Sequence, residues 1–370
     1  MKIGILTFHR AYNCGARLQA WALQTVLERM GHTVEFPDCN EVGVVRRFIP
    51  FERKSNFLRQ LVSIGYRAII NVSSLGYCDI IRRQYKKFQK RLKCIDITPK
   101  DFHKRYDLII VGSDQVWNEL VSSPNSGLFL GQGLSENIPL IAYAASFGDT
   151  HLSNEYLNQL QEGLKRFKSI SVREPSGIER LKMLGFSNAV NVLDPTLLLS
   201  SYDYDVIKQK ISIKKDILFT YAVSYSNASI SRIREVAKIL GVSCHISRAF
   251  EISLVTKSRS FSYPVSPLHL LSYTAHARYV IPASFHGMVF AILYKKPFVC
   301  IRPQKDKNDS RPASLLKLLG MTNRIVTPET SVDDIVSILR EPYPNDIDSK
   351  IKILRNQSKN WIGNAIKSVL

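Results

Sequence analysis

The chain has 370 residues, 45% of them apolar and 22% charged, with a net charge of +20. This length exceeds what one hydrophobic core usually supports, so two domains of roughly 150–200 residues each are expected. The composition excludes fibrous and low-complexity chains, and no apolar run approaches the ~20 residues of a membrane span.

The first residues, "KIGILTF", read as a short strand rather than a signal-peptide core, which points to a cytoplasmic protein. A loop, "HRAYNCGA", leads to a helix from about Arg17 to Met30, where Leu18, Trp21, Ala22, Val26 and Met30 recur at helical spacing. Gly31 ends that helix and "TVEF" forms the next strand, giving the opening βαβ of a doubly wound sheet. Residues 41–105 interrupt the rhythm as a basic helical insertion. Strands resume at "YDLIIVGSDQVWN", "IPLIAYAASFG", "SISV" and "AVNVLDPTLLL", with a helix around 153–168 between them. A second series starts near Asp216: strand "DILFTYAVSYS", a helix through Ile230, Ile233, Val236 and Leu240, and strand "VSCHIS". Ser266 and Pro267 mark the start of another helix. "RYVIPAS", "GMVFAILYKK" and "PFVCI" complete a further βαβ, followed by a short helix "RPASLLKLLG" and a helical tail from about Asp346. The alternation predicts an α/β fold of two Rossmann-like domains facing a cleft: 1–205, containing the insertion, and 206–345, with a C-terminal helix over 346–370.

The positive charge is uneven. Residues 46–105 hold sixteen Lys and Arg against four acids, Glu52, Asp79, Asp96 and Asp101. Such a face suits an anionic membrane surface or a polyanionic substrate. No nucleic-acid module accompanies it, so nucleic acid is not an expected partner. The six cysteines are widely spaced and form no CxxC, so reduced thiols and no metal site are expected.

Candidate ligand residues fall at strand ends. They are Asn13 and Gly15, Ser113 and Asp114, Ser146, Arg173, Ser224, and Ser284 with Phe285 and His286. His286 stands where a helix begins, and free N–H groups together with the helix dipole favour an anion there. Arg173, beside Glu174, suits bidentate binding of a carboxylate or phosphate. Arg311 precedes a Pro-started helix, with Lys305 and Lys307 nearby. GxGxxG, Walker and GxSxG patterns are absent, as is a DxD-type metal dyad in a loop; Asp203 and Asp205 read as helix caps.

Taken together, "GILTFHRAYNCGARLQAWALQ", "YDLIIVGSDQVWN", "YAASFG", "SVREPSGIERLKMLGF", "VLDPTLLL", "SFHGMVFAILYKKPFV" and "DSRPASLLKLLG" resemble the polysaccharide pyruvyl transferase family, in the family's order. The resemblance implies a GT-B-like fold and transfer of pyruvate from phosphoenolpyruvate, as co-substrate, onto a sugar of a bacterial surface polysaccharide or its lipid-diphosphate-linked precursor. No other cofactor is implied. It places Arg173 and His286 at the donor. Many members carry an arginine two residues before that histidine, where this chain has Ser284, so Arg311 or Lys305 is expected to compensate. His286 is expected as the general acid or as a phosphate ligand only, and Asp114 as the acceptor-side base, with Asn13, Gly15, Ser113 and Ser146 on the acceptor side. The basic region is expected to dock peripherally on the inner membrane leaflet. Oligomeric state is left open. A nucleotide-sugar glycosyltransferase and a non-catalytic basic scaffold on the same fold are the alternatives.

Overall fold

A computed structural model describes residues 1–38, 77–122, 126–148, 150–213, 215–222, 226–248, 265–302 and 310–369. Seven strands form the first sheet: β1 (Lys2–Leu6), β2 (Thr33–Asp38), β3 (Cys94–Asp96), β4 (Leu108–Val111), β5 (Leu140–Ala145), β6 (Phe167–Val172) and β7 (Val190–Asn191). All pairings are parallel, in the order β3-β2-β1-β4-β5-β6-β7. Every residue of β4 and β5 is buried, as both faces of a helix-covered parallel sheet must be. The order reverses between β1 and β4, so the loops leaving these two strands flank the switch-point crevice where such sheets bind ligands.

The second sheet runs β10 (Tyr279–Val280), β8 (Ile217–Ala222), β9 (Ser243–Arg248), again parallel. A parallel bridge from Val280 to Phe298 continues it toward the pair β11 (Cys300–Ile301) and β12 (Ile325–Val326).

Helix starts follow local chemistry. Ser266 Oγ accepts from the His269 N–H and Pro267 takes the first helical position. The helix Cys14–Arg29 begins three residues before the expected Arg17, because the Asn13 side chain accepts from the N–H groups of Gly15 and Ala16. Asp203 closes a capping box with Ser200.

The two halves share one core. Leu18, Ala22 and Val26 of the helix Cys14–Arg29 belong to the same buried cluster as Tyr221, Leu270, Leu271, Met288 and Phe290 from the second half. Burying each of the Leu, Val, Met and Phe side chains among them contributes about 1.5–3 kcal/mol, so the halves are held together rather than merely tethered. The last helix, Ile347–Lys367, crosses back to the first half. Its Ser358 Oγ accepts from the Leu193 N–H at 2.9 Å, and Arg355 donates to the carbonyls of Leu197 (2.7 Å) and Leu199 (2.9 Å).

The expected basic insertion is described only from residue 77, and its residues 41–76 lie outside the described residues. The helix Tyr77–Gln89 buries Tyr85 and Phe88 and leaves Lys86 and Lys87 exposed. Its backbone at Tyr85 accepts from Arg17 Nη1 at 3.2 Å, which fixes the helix on Cys14–Arg29. Among the described residues, no helix is long and apolar enough to cross a membrane.

Candidate active site

β6 ends at Val172, and the next residue, Arg173, turns a nearly fully buried guanidinium into the junction of the two halves. Nη1 donates to Asp194 Oδ2 at 2.8 Å, Nε to Glu174 Oε1 at 3.2 Å, and Nη2 lies 3.7 Å from Asp114 Oδ1. The Phe285 ring lies 4.8 Å from the guanidinium carbon, in cation–π range. The Arg173–Glu174 pair is thus buried, where an ion pair weighs more than the small contribution of an exposed one.

Asp194 follows β7 and caps the short 3-10 turn Pro195–Leu198. Its Oδ1 accepts from the Thr196 N–H (3.0 Å) and hydroxyl (2.6 Å). That Asx turn aims Oδ2 at Arg173 and at His286 Nε2, 3.5 Å away.

His286 is the second residue of the helix Phe285–Leu293, whose N-cap is Ser284. Ser284 Oγ accepts from the Gly287 N–H at 3.0 Å, so the serine's described role is to hold the helix end. The imidazole is buried against Gly15: a Cβ added there would lie 2.1 Å from Nδ1 and 2.4 Å from Cγ. Glycine at 15 therefore makes room for the histidine, and the N-terminal turns of two helices from opposite halves meet around one ring.

The β4 loop supplies the facing wall. Gly112 adopts φ 110°, where an added Cβ would sit 2.4 Å from the Tyr143 carbonyl oxygen, so only glycine fits. The next peptide, Gly112–Ser113, is cis, and Asp114 takes φ 77°. Ser113 Oγ lies within hydrogen-bond distance of the Ala144 carbonyl oxygen (3.0 Å) and of Asp194 Oδ2 (3.3 Å), which share its one hydrogen. Gln115, with its carboxamide oxygen turned toward Arg311, accepts from Nη1 at 2.9 Å and Nη2 at 3.2 Å. Arg311 also lines a small cavity with Arg173, Asp194 and Phe285. The Ser146 hydroxyl donates to Glu174 Oε1 at 2.5 Å.

Arg173, His286, Phe285, Ser113, Asp114, Ser146, Gly15 and Arg311 are therefore brought together by direct contact. Asn13 stands one turn away as the cap of the helix that meets His286. Lys305 and Ser224 lie outside the described residues. Asp194, Glu174, Thr196 and Gln115 were not singled out as ligands from the sequence. The Asp-Pro-Thr run after a strand is the signal that could have flagged Asp194 as a capping carboxylate.

Electrostatics hold the cluster charged. Burial alone would lower the pKa of Arg173, but Glu174, Asp194 and Asp114 raise it above the ordinary arginine value. Burial alone would raise the Asp194 carboxyl; His286, Arg173 and the Thr196 hydroxyl instead hold it well below the usual carboxylate range. Two nitrogen donors in this buried cluster, Arg173 Nη2 and His286 Nε2, lack a hydrogen-bond partner.

Two Rossmann-like halves meeting at such a junction define an α/β protein of GT-B-like fold. UGT89C1 of Arabidopsis thaliana complexed with UDP is similar, at 10% identity, with 100% of each chain covered and a TM-score of 0.51. So is the UDP-GlcNAc 2-epimerase of Neisseria meningitidis bound to UDP-GlcNAc, at 10% identity, 96% of this chain and 99% of that chain covered, TM-score 0.50. At this identity the likeness concerns fold alone. No curated protein matches the chain. The sequence model of the polysaccharide pyruvyl transferase family matches residues 13–305, and the chain belongs to that family.

Proposed function

We propose that this family member transfers pyruvate from phosphoenolpyruvate to a sugar diol, as a ketal, on a bacterial surface polysaccharide or its lipid-diphosphate-linked precursor. The observation that carries this reading is that two buried nitrogens, Arg173 Nη2 and His286 Nε2, make no hydrogen bond although each lies within ion-pair distance of a carboxylate, Asp114 at 3.7 Å and Asp194 at 3.5 Å. A buried donor without a partner is costly unless a ligand completes it. Phosphoenolpyruvate offers a carboxylate and a phosphate. Arg173 suits one of them, and Arg311 with the N-terminal end of the helix Phe285–Leu293 suits the other.

In this mechanism His286 delivers a proton to C3 of the enol while a sugar hydroxyl oxygen adds to C2 and loses its proton to Asp114. The bond from C2 to the phosphate oxygen then breaks, and phosphate leaves with the electron pair. A second hydroxyl of the same sugar attacks C2, closes the ring and releases its proton. The sum is diol plus phosphoenolpyruvate giving ketal plus inorganic phosphate, which balances with no further cofactor.

The test is mass spectrometry of lipid-linked glycan intermediates incubated with the protein and phosphoenolpyruvate, with phosphate release followed in parallel. Added pyruvate matched by phosphate is expected, reduced about 10²–10⁴-fold in Arg173→Ala and His286→Ala. Full transfer in both variants would remove the donor site assigned here. Sugar addition from a nucleotide sugar, without phosphoenolpyruvate, would make the chain a glycosyltransferase instead.

A further inference from the structure

A second cluster of chemistry-bearing side chains lies beyond the β1 loop and is not used above. His9 follows β1, Asp38 ends β2, and Cys94 opens β3 on the neighbouring edge. One donor atom from each lies within 4.8 Å of the other two.

The histidine is oriented in a telling way. Its Nδ1 is 3.0 Å from the Thr7 carbonyl oxygen, which can only accept, so in the neutral ring Nδ1 carries the hydrogen. Nε2 then presents a bare lone pair. That atom is buried, has no hydrogen-bond partner, and faces Asp38 Oδ1 at 3.8 Å. Two acceptors facing each other in a buried place repel unless a cation lies between them. Metal-ligating histidines are held in this manner, with the second nitrogen donated to a carbonyl.

The other two donors are oriented as well. The second Asp38 oxygen is taken by Arg10, which leaves Oδ1 for the cluster. Gln89 Nε2 donates to Cys94 Sγ, and the same carboxamide's oxygen accepts from Arg17 Nη1, so the sulfur is fixed from outside. Ligand atoms about 2.0–2.3 Å from a tetrahedral zinc ion are separated by about 3.3–3.6 Å, so small side-chain shifts would close the set.

The geometry points to a binding site for a thiophilic divalent cation, zinc or its cobalt surrogate, formed by His9 Nε2, Asp38 Oδ1 and Cys94 Sγ, with a fourth position open to water. An imidazole, a thiolate and a carboxylate favour late first-row metals over magnesium or calcium. Spacing along the chain conceals the trio, because its members come from three different strand ends and are joined only by sheet order.

The experiment is titration of the metal-free full chain with Co(II), followed by the sulfur-to-cobalt charge-transfer band, and displacement by Zn(II). One equivalent with a thiolate band is expected in the wild type. Cys94→Ser should abolish the band, and Asp38→Asn should weaken Co(II) binding at least about tenfold. Zn(II) should raise the thermal midpoint of the wild type and not that of Cys94→Ser. Absence of Co(II) binding in the wild type would leave a neutral imidazole beside a carboxylate only and overturn the site. A band unchanged in Cys94→Ser would overturn it equally, since the thiolate would then come from elsewhere.

Discussion

Gly15 and His286 occupy the same space: a Cβ at position 15 would stand 2.1 Å from Nδ1 of the imidazole and 2.7 Å from its own Cβ. The contact reaches the base of the side chain, so swinging the ring tip cannot relieve it. Gly15→Ala should cost about 1–3 kcal/mol through overpacking. Displacing the ring by an ångström should reduce transfer about 10²-fold. Thermal unfolding and turnover measure the two effects. Adding His286→Gly, which removes the Cβ as well as the ring, should recover part of the lost stability without restoring activity, and additive stability losses in the double variant would refute the contact.

Asp194 makes stability depend on pH in a defined direction. Its folded pKa lies below the unfolded value of about 3.9, so its stabilisation is fully present at neutral pH. The contribution is lost as pH falls below about 4, when the unfolded chain binds the proton more readily. Asp194→Asn should cost about 3–5 kcal/mol at neutral pH by breaking a buried pair, and should flatten the acid limb of the stability profile. Denaturant unfolding at a series of pH values tests this, and an unchanged acid limb in the variant would count against it.

Ser284 holds the helix that presents His286. Ser284→Ala should lower stability by about 1 kcal/mol, the usual worth of an N-cap, while Ser284→Asp should retain it. Equal unfolding midpoints for the wild type and the alanine variant would show that the cap bond carries no weight.

Lys86 and Lys87 project from the exposed side of the helix Tyr77–Gln89, whose Tyr85 and Phe88 are buried, and Lys90 is exposed in the turn just after it. If this face meets anionic lipid, each lysine contributes about 1 kcal/mol near the surface. The triple Lys→Glu variant should then bind anionic vesicles at least about 10²-fold more weakly in flotation assays, with phosphoenolpyruvate chemistry intact. Equal binding of the wild type to neutral and anionic vesicles would end the proposal.

Much of this was legible along the chain because parallel α/β sheets write strand, loop and helix in sequence order. The strand-end position of Arg173 and the helix-start position of His286 follow from local pattern alone, as does Ser266 before Pro267. Asp194 was hidden because its partners are distant in sequence: Arg173 lies 21 residues away, and His286 belongs to the other half. The same holds for Gly15, whose lack of a side chain has a reason only once His286 is beside it. Glu174 illustrates a different limit. Its charge beside Arg173 was visible, but burial decides what the pair is worth, and burial is a property of the packed molecule.

The closing helix has a consequence in time. Ser358 and Arg355 fasten the stretch on both sides of Asp194, and the Leu193–Ser358 bond joins residues 165 apart. A ribosome therefore releases Arg173 and Asp194 long before the strap that steadies them. Until that strap arrives, the emerging chain holds a half-built charged junction, so a C-terminally clipped product should fold most of its first sheet yet lack a firmly seated Asp194.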